Sequence, residues 1–195
     1  MVSHDQRQRW CNRMPWLKQH SFTLWEGFPP SEFALETAKD PKTVLWVGKV
    51  TNDKGLQEFR QLAAWNPDWT FIIYGNPKPR NLGHNIQYRG ELKRGKAHIR
   101  AFQRATKFFF FTKAEAFGRV FVEAISKGTP VLGSAAGSLP ELIVPTVGVS
   151  SSDLRVLNAS LHDYYNYTAI HEYAKSRFSS RHEVQQLYVR SRGLV

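Results

Sequence analysis

Between residues 42 and 151, short apolar runs alternate with amphipathic stretches, and this alternation constrains the fold more than any single motif. TVLWVG (43–48), TFIIYG (70–75), NIQYRG (85–90), KFFFFT (107–112), PVLGS (130–134) and VGVSS (147–151) have the length and the β-branched or aromatic content of strands. LQEFRQLAAW (56–65) lies between the first two and places Leu56, Phe59, Leu62 and Ala63 on one helical face. KRGKAHIRAFQRA (93–105) has helical spacing at Ala97, Ala101, Phe102 and Ala105. FGRVFVEAISKG (117–128) reads as a helix closed by Gly128, LPELI (139–143) as a short helical turn, and 153–161, 168–178 and 181–193 as three further helices. Apolar strands separated by amphipathic helices predict an α/β fold: a mostly parallel sheet with helices on both faces. In such a sheet ligands bind beyond the carboxyl ends of the strands.

Charge narrows the class of partner. Twenty-seven Lys and Arg against 16 Asp and Glu give a formal net charge of +11, which favours an anionic partner. Nucleotide phosphates, a nucleic acid and an anionic membrane surface all qualify. The bases are densest from Lys78 through Arg80, Arg89, Lys93, Arg94, Lys96, Arg100 and Arg104 to Lys107, a run read here as one exposed basic patch. Cys11 is the only cysteine, so no intrachain disulfide forms. No apolar run approaches the length of a membrane span, and MVSHDQRQRW lacks the apolar segment of a secretory leader. A cytoplasmic protein is expected, with membrane association through basic surface as a further option.

Several residues converge on one predicted crevice. Gly48, Lys49 and Lys54 follow the first strand; Glu115, Phe117 and Gly118 follow the FFFF strand; the helix carrying Glu123 begins there. A helix starting near Phe117 would offer backbone N–H groups to a diphosphate, with Lys49 and Lys54 as added cations. Glu123, two turns on, is placed to accept hydrogen bonds from vicinal hydroxyls, since an ionised carboxylate is acceptor-only. Other chemistries lack their parts. GELKRGKA (90–97) imitates a phosphate loop but has Ala97 where a metal-binding Ser or Thr belongs, no G-x-G occurs, and no Asp-x-Asp pair exists to hold a metal.

The run EAFGRVFVEAISKGTPVLGSAAGSLPEL (115–142) resembles the retaining GT-B glycosyltransferases of the large family 4 group. Their E-x7-E pair corresponds to Glu115 and Glu123, and LWVGKVTNDKG (45–55) is similar to their G-R-x4-K-G, with Lys49 where arginine is usual. IQYRGEL (86–92) resembles the segment whose backbone reads the nucleobase, around Gly90 and Leu92, and VSHDQR (2–7) the close of the preceding domain. Ser138 and Ala116 stand where the family often has glycine. The resemblance implies a single Rossmann-like, GT-B-type donor-binding domain over 31–180, with 1–30 as the remnant of a preceding domain and linker, and 181–195 as a C-terminal helix. It implies catalytic roles for Lys49, Lys54 and Glu115, and donor contacts from Gly48, Phe117, Gly118 and Arg119, with Glu123 on the ribose. The implied donor is a UDP- or GDP-sugar, with no cofactor and no metal, and with the acceptor held by a separate protein or domain. A non-catalytic nucleotide-sugar-binding or scaffold subunit is the alternative; a nucleic-acid-associated sugar transferase rests on charge alone.

Overall fold

The computed structural model describes residues 1–191. Six strands form one sheet: β1 (Thr43–Val47), β2 (Thr70–Tyr74), β3 (Ile86–Tyr88), β4 (Lys107–Phe110), β5 (Val131–Gly133) and β6 (Gly148–Ser150). Their order is β3-β2-β1-β4-β5-β6, and every neighbouring pair is parallel. The register sets Leu45 beside Ile72 on one side and beside Phe108 on the other. The helices are α1 (His4–Arg13), α2 (Leu17–His20), α3 (Leu56–Trp65), α4 (Lys96–Arg104), α5 (Arg119–Ile125), α6 (Leu139–Leu142), α7 (Leu154–Ala159), α8 (Tyr167–Phe178) and α9 (Ser180–Ser191). The chain builds outward from β1 to β2 and β3, then crosses through α4 to β4 and continues to β5 and β6. Strand order therefore reverses between β1 and β4, and their carboxyl ends open the crevice where an open α/β sheet binds ligands.

Side-chain alternation explains the FFFF strand. Successive residues of a strand point to opposite faces. Phe108 and Phe110 enter one core with Phe102, Phe121 and Phe178, while Phe109 enters the other with Trp46, Phe59 and Leu157. Phe59 binds that second layer together, its ring centroid 5.2 Å from Trp46, 5.3 Å from Phe71 and 5.5 Å from Phe109. Neither face is left to water, hence the near-continuous apolar strands.

Residues 1–30 lie against the C-terminal helices. Ser3 caps α1 by accepting from the Gln6 N–H, and the 21–28 segment returns so that Phe28 exchanges backbone hydrogen bonds with Phe178 and Ser180. The Arg177 guanidinium stacks 3.9 Å above the Trp25 ring. The helix expected over 181–195 is described to residue 191 as α9, and 192–195 lie outside the described residues.

Three expectations are corrected. In α4 the inward residues are His98 and Phe102, while Ala97 is exposed; a histidine in a mostly polar stretch carries no apolar signal, and its burial depends on a partner described below. The helix after the FFFF strand begins at Arg119, because Gly118 is left-handed (φ 86°) and breaks the turn that Phe117 would start. Lys107 leaves the basic patch: it is 2% exposed, donates to the Asp163 carbonyl at 2.7 Å and sits 4.1 Å from the Tyr165 ring.

Buried Lys107 and half-buried Lys39 make stability depend on pH. Burial pulls the pKa of Lys107 down to about 8 and that of Lys39 to about 7. An unfolded lysine titrates near ~10.4. Across that window the unfolded chain binds more protons, so these two groups make stability rise with pH. Burial raises the hydroxyl pKa of Tyr165, Tyr167 and Tyr173, so above about pH 10 the unfolded chain ionises first and stability falls. Calorimetric melting midpoints should climb from neutral pH toward about 9.5 and then turn down. Lys107→Met should flatten the climb above pH 8; an unchanged profile in that variant would mean that Lys107 is not the titrating group.

Candidate functional site

The loops after β1 and β4 face each other at the strand-order reversal. The first ends in a 3-10 turn, Asn52–Lys54, closed by Gly55 at φ 91°. A Cβ on Gly55 would stand 2.2 Å from the Phe111 carbonyl oxygen, so only glycine lets the turn lie this close to the β4 loop. The Lys113 N–H donates to the Asp53 carbonyl at 3.0 Å and ties the loops together. The result carries Lys54 across: its Nζ lies 3.3 Å from Thr112 Oγ1 and 3.5 Å from Glu115 Oε2.

Glu115 is fixed from both ends. Its Oε1 accepts from the N–H groups of Ala116 (3.1 Å) and Phe117 (3.5 Å), and its carbonyl accepts from the Ser138 N–H (3.1 Å). Gly137, at φ 58°, packs its α-carbon against that backbone; a Cβ there would be 2.1 Å from the Glu115 carbonyl oxygen. The loop before α6 is thus the back wall that holds Glu115. A second tie runs through Ser134, whose Oγ accepts from the Thr112 N–H and donates to the Thr112 carbonyl.

Between the loops lies a cavity of ≈ 280 Å³. Gly48, Lys49, Lys54, Glu115, Gly118 and Arg119 line it above Trp46 and Phe110. Six of the ten residues singled out in the sequence therefore meet in one place. The Phe117 ring is buried against Phe178 (centroids 6.0 Å apart), which leaves only its backbone for the site. Arg119 turns its guanidinium toward the 26–28 segment, pairing with Glu26 and lying 5.0 Å from the Phe28 ring. The Gly90 carbonyl accepts from the Gly75 N–H at 2.8 Å, and Leu92 packs half-buried against the core; neither lines the cavity.

Glu123 also lies outside the cavity lining. It is 3% exposed, with Oε1 3.1 Å from Arg94 Nη2 and Oε2 3.3 Å from His98 Nε2. Arg94 reaches on to Glu32 (3.5 Å), and Glu32 accepts from the fully buried Lys127 at 2.8 Å. Burial opposes ionisation of Glu32, but the hydrogen bond and charge of Lys127, with the charges of Arg94 and His98, hold its carboxyl below the usual range. Sequence reasoning missed Arg94 and His98 as the partners of Glu123, and the Glu32–Lys127 pair joined to them through Arg94. Arg94 is 29 residues from Glu123 and Lys127 is 95 from Glu32, and nothing local marks such pairs.

A larger cavity of ≈ 670 Å³ runs along the edge strand β6, between Ile143 and Tyr165. It contains no cation, whereas the β1–β4 crevice unites two lysines with a carboxylate, so the crevice is the stronger site. Among the described residues, no group of three or more His, Cys, Asp or Glu is arranged to hold a metal ion, and no helix is long and apolar enough to cross a membrane.

The family model for glycosyl transferases group 1 matches residues 28–187, most of the chain and both loops of the crevice. The chain belongs to this family. Its fold is that of one domain of the GT-B enzymes. AviGT4, a glycosyltransferase involved in avilamycin A biosynthesis, superposes with a TM-score of 0.80 at 18% identity, covering 99% of this chain and 62% of AviGT4. The lipopolysaccharide outer core galactosyltransferase WaaB gives 0.77 at 14%, covering 100% of this chain and 61% of WaaB. HepE of Anabaena, solved with UDP and glucose, gives 0.69 at 17%, covering 88% of this chain and 57% of HepE. The group 1 chain described here thus spans about three fifths of each of these proteins. A comparison with curated proteins finds no match.

Proposed function

We propose that this chain binds the donor in a retaining, metal-independent glycosyl transfer from a UDP- or GDP-sugar. The supporting observation is the meeting of Lys49, Lys54 and Glu115 around one cavity at the strand-order reversal. Lys54 stands between Thr112 and Glu115, where a diphosphate would replace its present partners with stronger charge-assisted ones. Lys49 adds a second cation from the exposed side; as a point charge it lacks the fork of an arginine. The helix behind the site has only seven residues, so the lysines carry more of the phosphate recognition than its dipole does.

In this reading Glu115 touches the transferred sugar, and the acceptor hydroxyl arrives on a surface supplied by a separate protein or domain. The sugar–phosphate bond breaks, the acceptor oxygen adds to the same face, and its proton passes to the departing phosphate oxygen. The two lysines stabilise the charge that grows on that phosphate, the largest electrostatic demand of the step. HepE, with UDP and glucose bound on the same fold, supports a nucleoside diphosphate donor.

Calorimetric titration of the chain with UDP, GDP and their sugar conjugates, without added metal, tests this. Saturable binding of one nucleotide class, weakened in Glu115→Ala only for the sugar conjugate, is the expected outcome. Equal weakening of the bare diphosphate would remove Glu115 from the sugar, and no binding of either class would defeat the donor-site reading.

A further inference from the structure

A third cavity, of ≈ 270 Å³, lies away from the β1–β4 crevice, between α4 and the β1–β2 face. Its floor is aliphatic, from Leu45 on β1, Ile72 on β2 and Ala101 on α4. Its rim carries three cations and one acid: Arg89 follows β3, Arg100 and Arg104 project from α4, and Asp40 lies beside Arg104. Arg104 is already paired with Asp40, and Arg89 donates to Gln87 Oε1 at 2.8 Å. Arg100 has no hydrogen-bond or ion-pair partner among the described residues.

The surroundings carry the same sign. Residues 78–104 hold eight Lys and Arg against one acid, Glu91; Arg94 is paired with Glu123 and Glu32 and Arg104 with Asp40, which leaves Lys78, Arg80, Arg89, Lys93, Lys96 and Arg100 without an acidic partner among the described residues. All eight side chains belong to exposed residues. A net positive field around the slot recruits anions from a distance, and the slot takes an apolar group. A nucleic acid would use the charge but leave the aliphatic slot empty, and an acidic protein would have to bring an aliphatic side chain to the slot as well. An anionic phospholipid uses both.

We infer that this face docks on an anionic membrane surface, with lipid phosphates on Arg89 and Arg100 and the adjoining apolar part of one lipid in the slot. The inference stands on charge and shape at the α4 edge and is independent of the donor-site reading. Each basic side chain brought to an anionic surface strengthens attachment severalfold, and the attraction fades over a Debye length.

Co-sedimentation with vesicles tests it. The chain should sediment with vesicles of phosphatidylcholine mixed with phosphatidylglycerol, release at high salt, and stay in solution with phosphatidylcholine alone. Arg89→Gln with Arg100→Gln should weaken partitioning about tenfold or more. Ala101→Leu fills the slot without changing charge and should weaken it severalfold, while both variants keep the parent melting temperature. Glycerol phosphate at the same phosphate concentration should not release the chain; release would mean that a single free anion is the ligand and would overturn the docking surface. Equal sedimentation with neutral vesicles, or partitioning unchanged by the double substitution, would also overturn it. Unchanged partitioning in Ala101→Leu would remove the slot from it. Retardation of a DNA duplex without vesicle binding would transfer the face to nucleic acid.

Discussion

Lys54→Ala is expected to weaken binding of a nucleoside diphosphate by roughly ten- to a hundredfold, the ~1.5–3 kcal/mol of a hydrogen bond to a charged group. In the complete transferase it should lower kcat by about 10²–10³, the usual cost of losing one donor aimed at developing charge. The two effects separate because the leaving diphosphate carries more charge in the transition state than in the bound donor. The free nucleoside is the control: it has no phosphate, so its affinity should not change. Folding should not change measurably either. Lys54 is about one third exposed and leaves no buried orphan, since Glu115 keeps the Ala116 and Phe117 N–H groups. Calorimetry with UDP, GDP and the matching nucleosides reads all of this. Diphosphate affinity unchanged within twofold would place the phosphates away from Lys54, and equal loss for diphosphate and nucleoside would indicate a general disturbance of the β1 loop.

The candidate site was legible where it depends on the local chain and obscure where it depends on distant partners. Lys49, Lys54, Glu115 and Gly118 each sit a few residues beyond a strand, and strand ends are marked by the apolar pattern itself. The strand ends then meet because the sheet reverses between β1 and β4. Gly55 and Gly137 are visible as glycines in sequence, but only the fold shows that each is a point where two backbones touch. Charge burial was not legible at all. Lys107 opens a strand and looks like its polar edge, yet the loop at Asp163 and Tyr165 covers it. His98 and Glu123 look like the polar faces of two helices, and each is buried because the other is there. A pattern of apolar spacing reports what water rejects. It is silent about polar groups that satisfy one another.

Replacing Glu123 by glutamine is the second large effect, and it separates two readings of that acid. Two carboxylates and two cations alternate in space: Lys127, Glu32, Arg94, Glu123, with His98 at the end. Glutamine keeps the shape but removes one charge and leaves Arg94 with Glu32 alone. Breaking a fully buried pair costs ~3–5 kcal/mol, but Arg94 is mostly exposed and can turn to water, so about 1–3 kcal/mol is expected. For a chain of this size that lowers the melting midpoint by roughly 2–10 °C. If Glu123 also receives the ribose, Arg94 must first move aside, because the carboxylate is 3% exposed with Arg94 on one oxygen and His98 on the other. Glu123→Gln should then weaken UDP or GDP but not inorganic diphosphate, while Arg94→Ala should leave nucleotide affinity equal or tighter despite its own loss of stability. Lower melting with unchanged nucleotide affinity in Glu123→Gln would make this acid purely a tie between α5, α4 and the linker at Glu32. The ribose would then have to be held elsewhere around the β1–β4 crevice, and Arg94→Ala would have nothing to release.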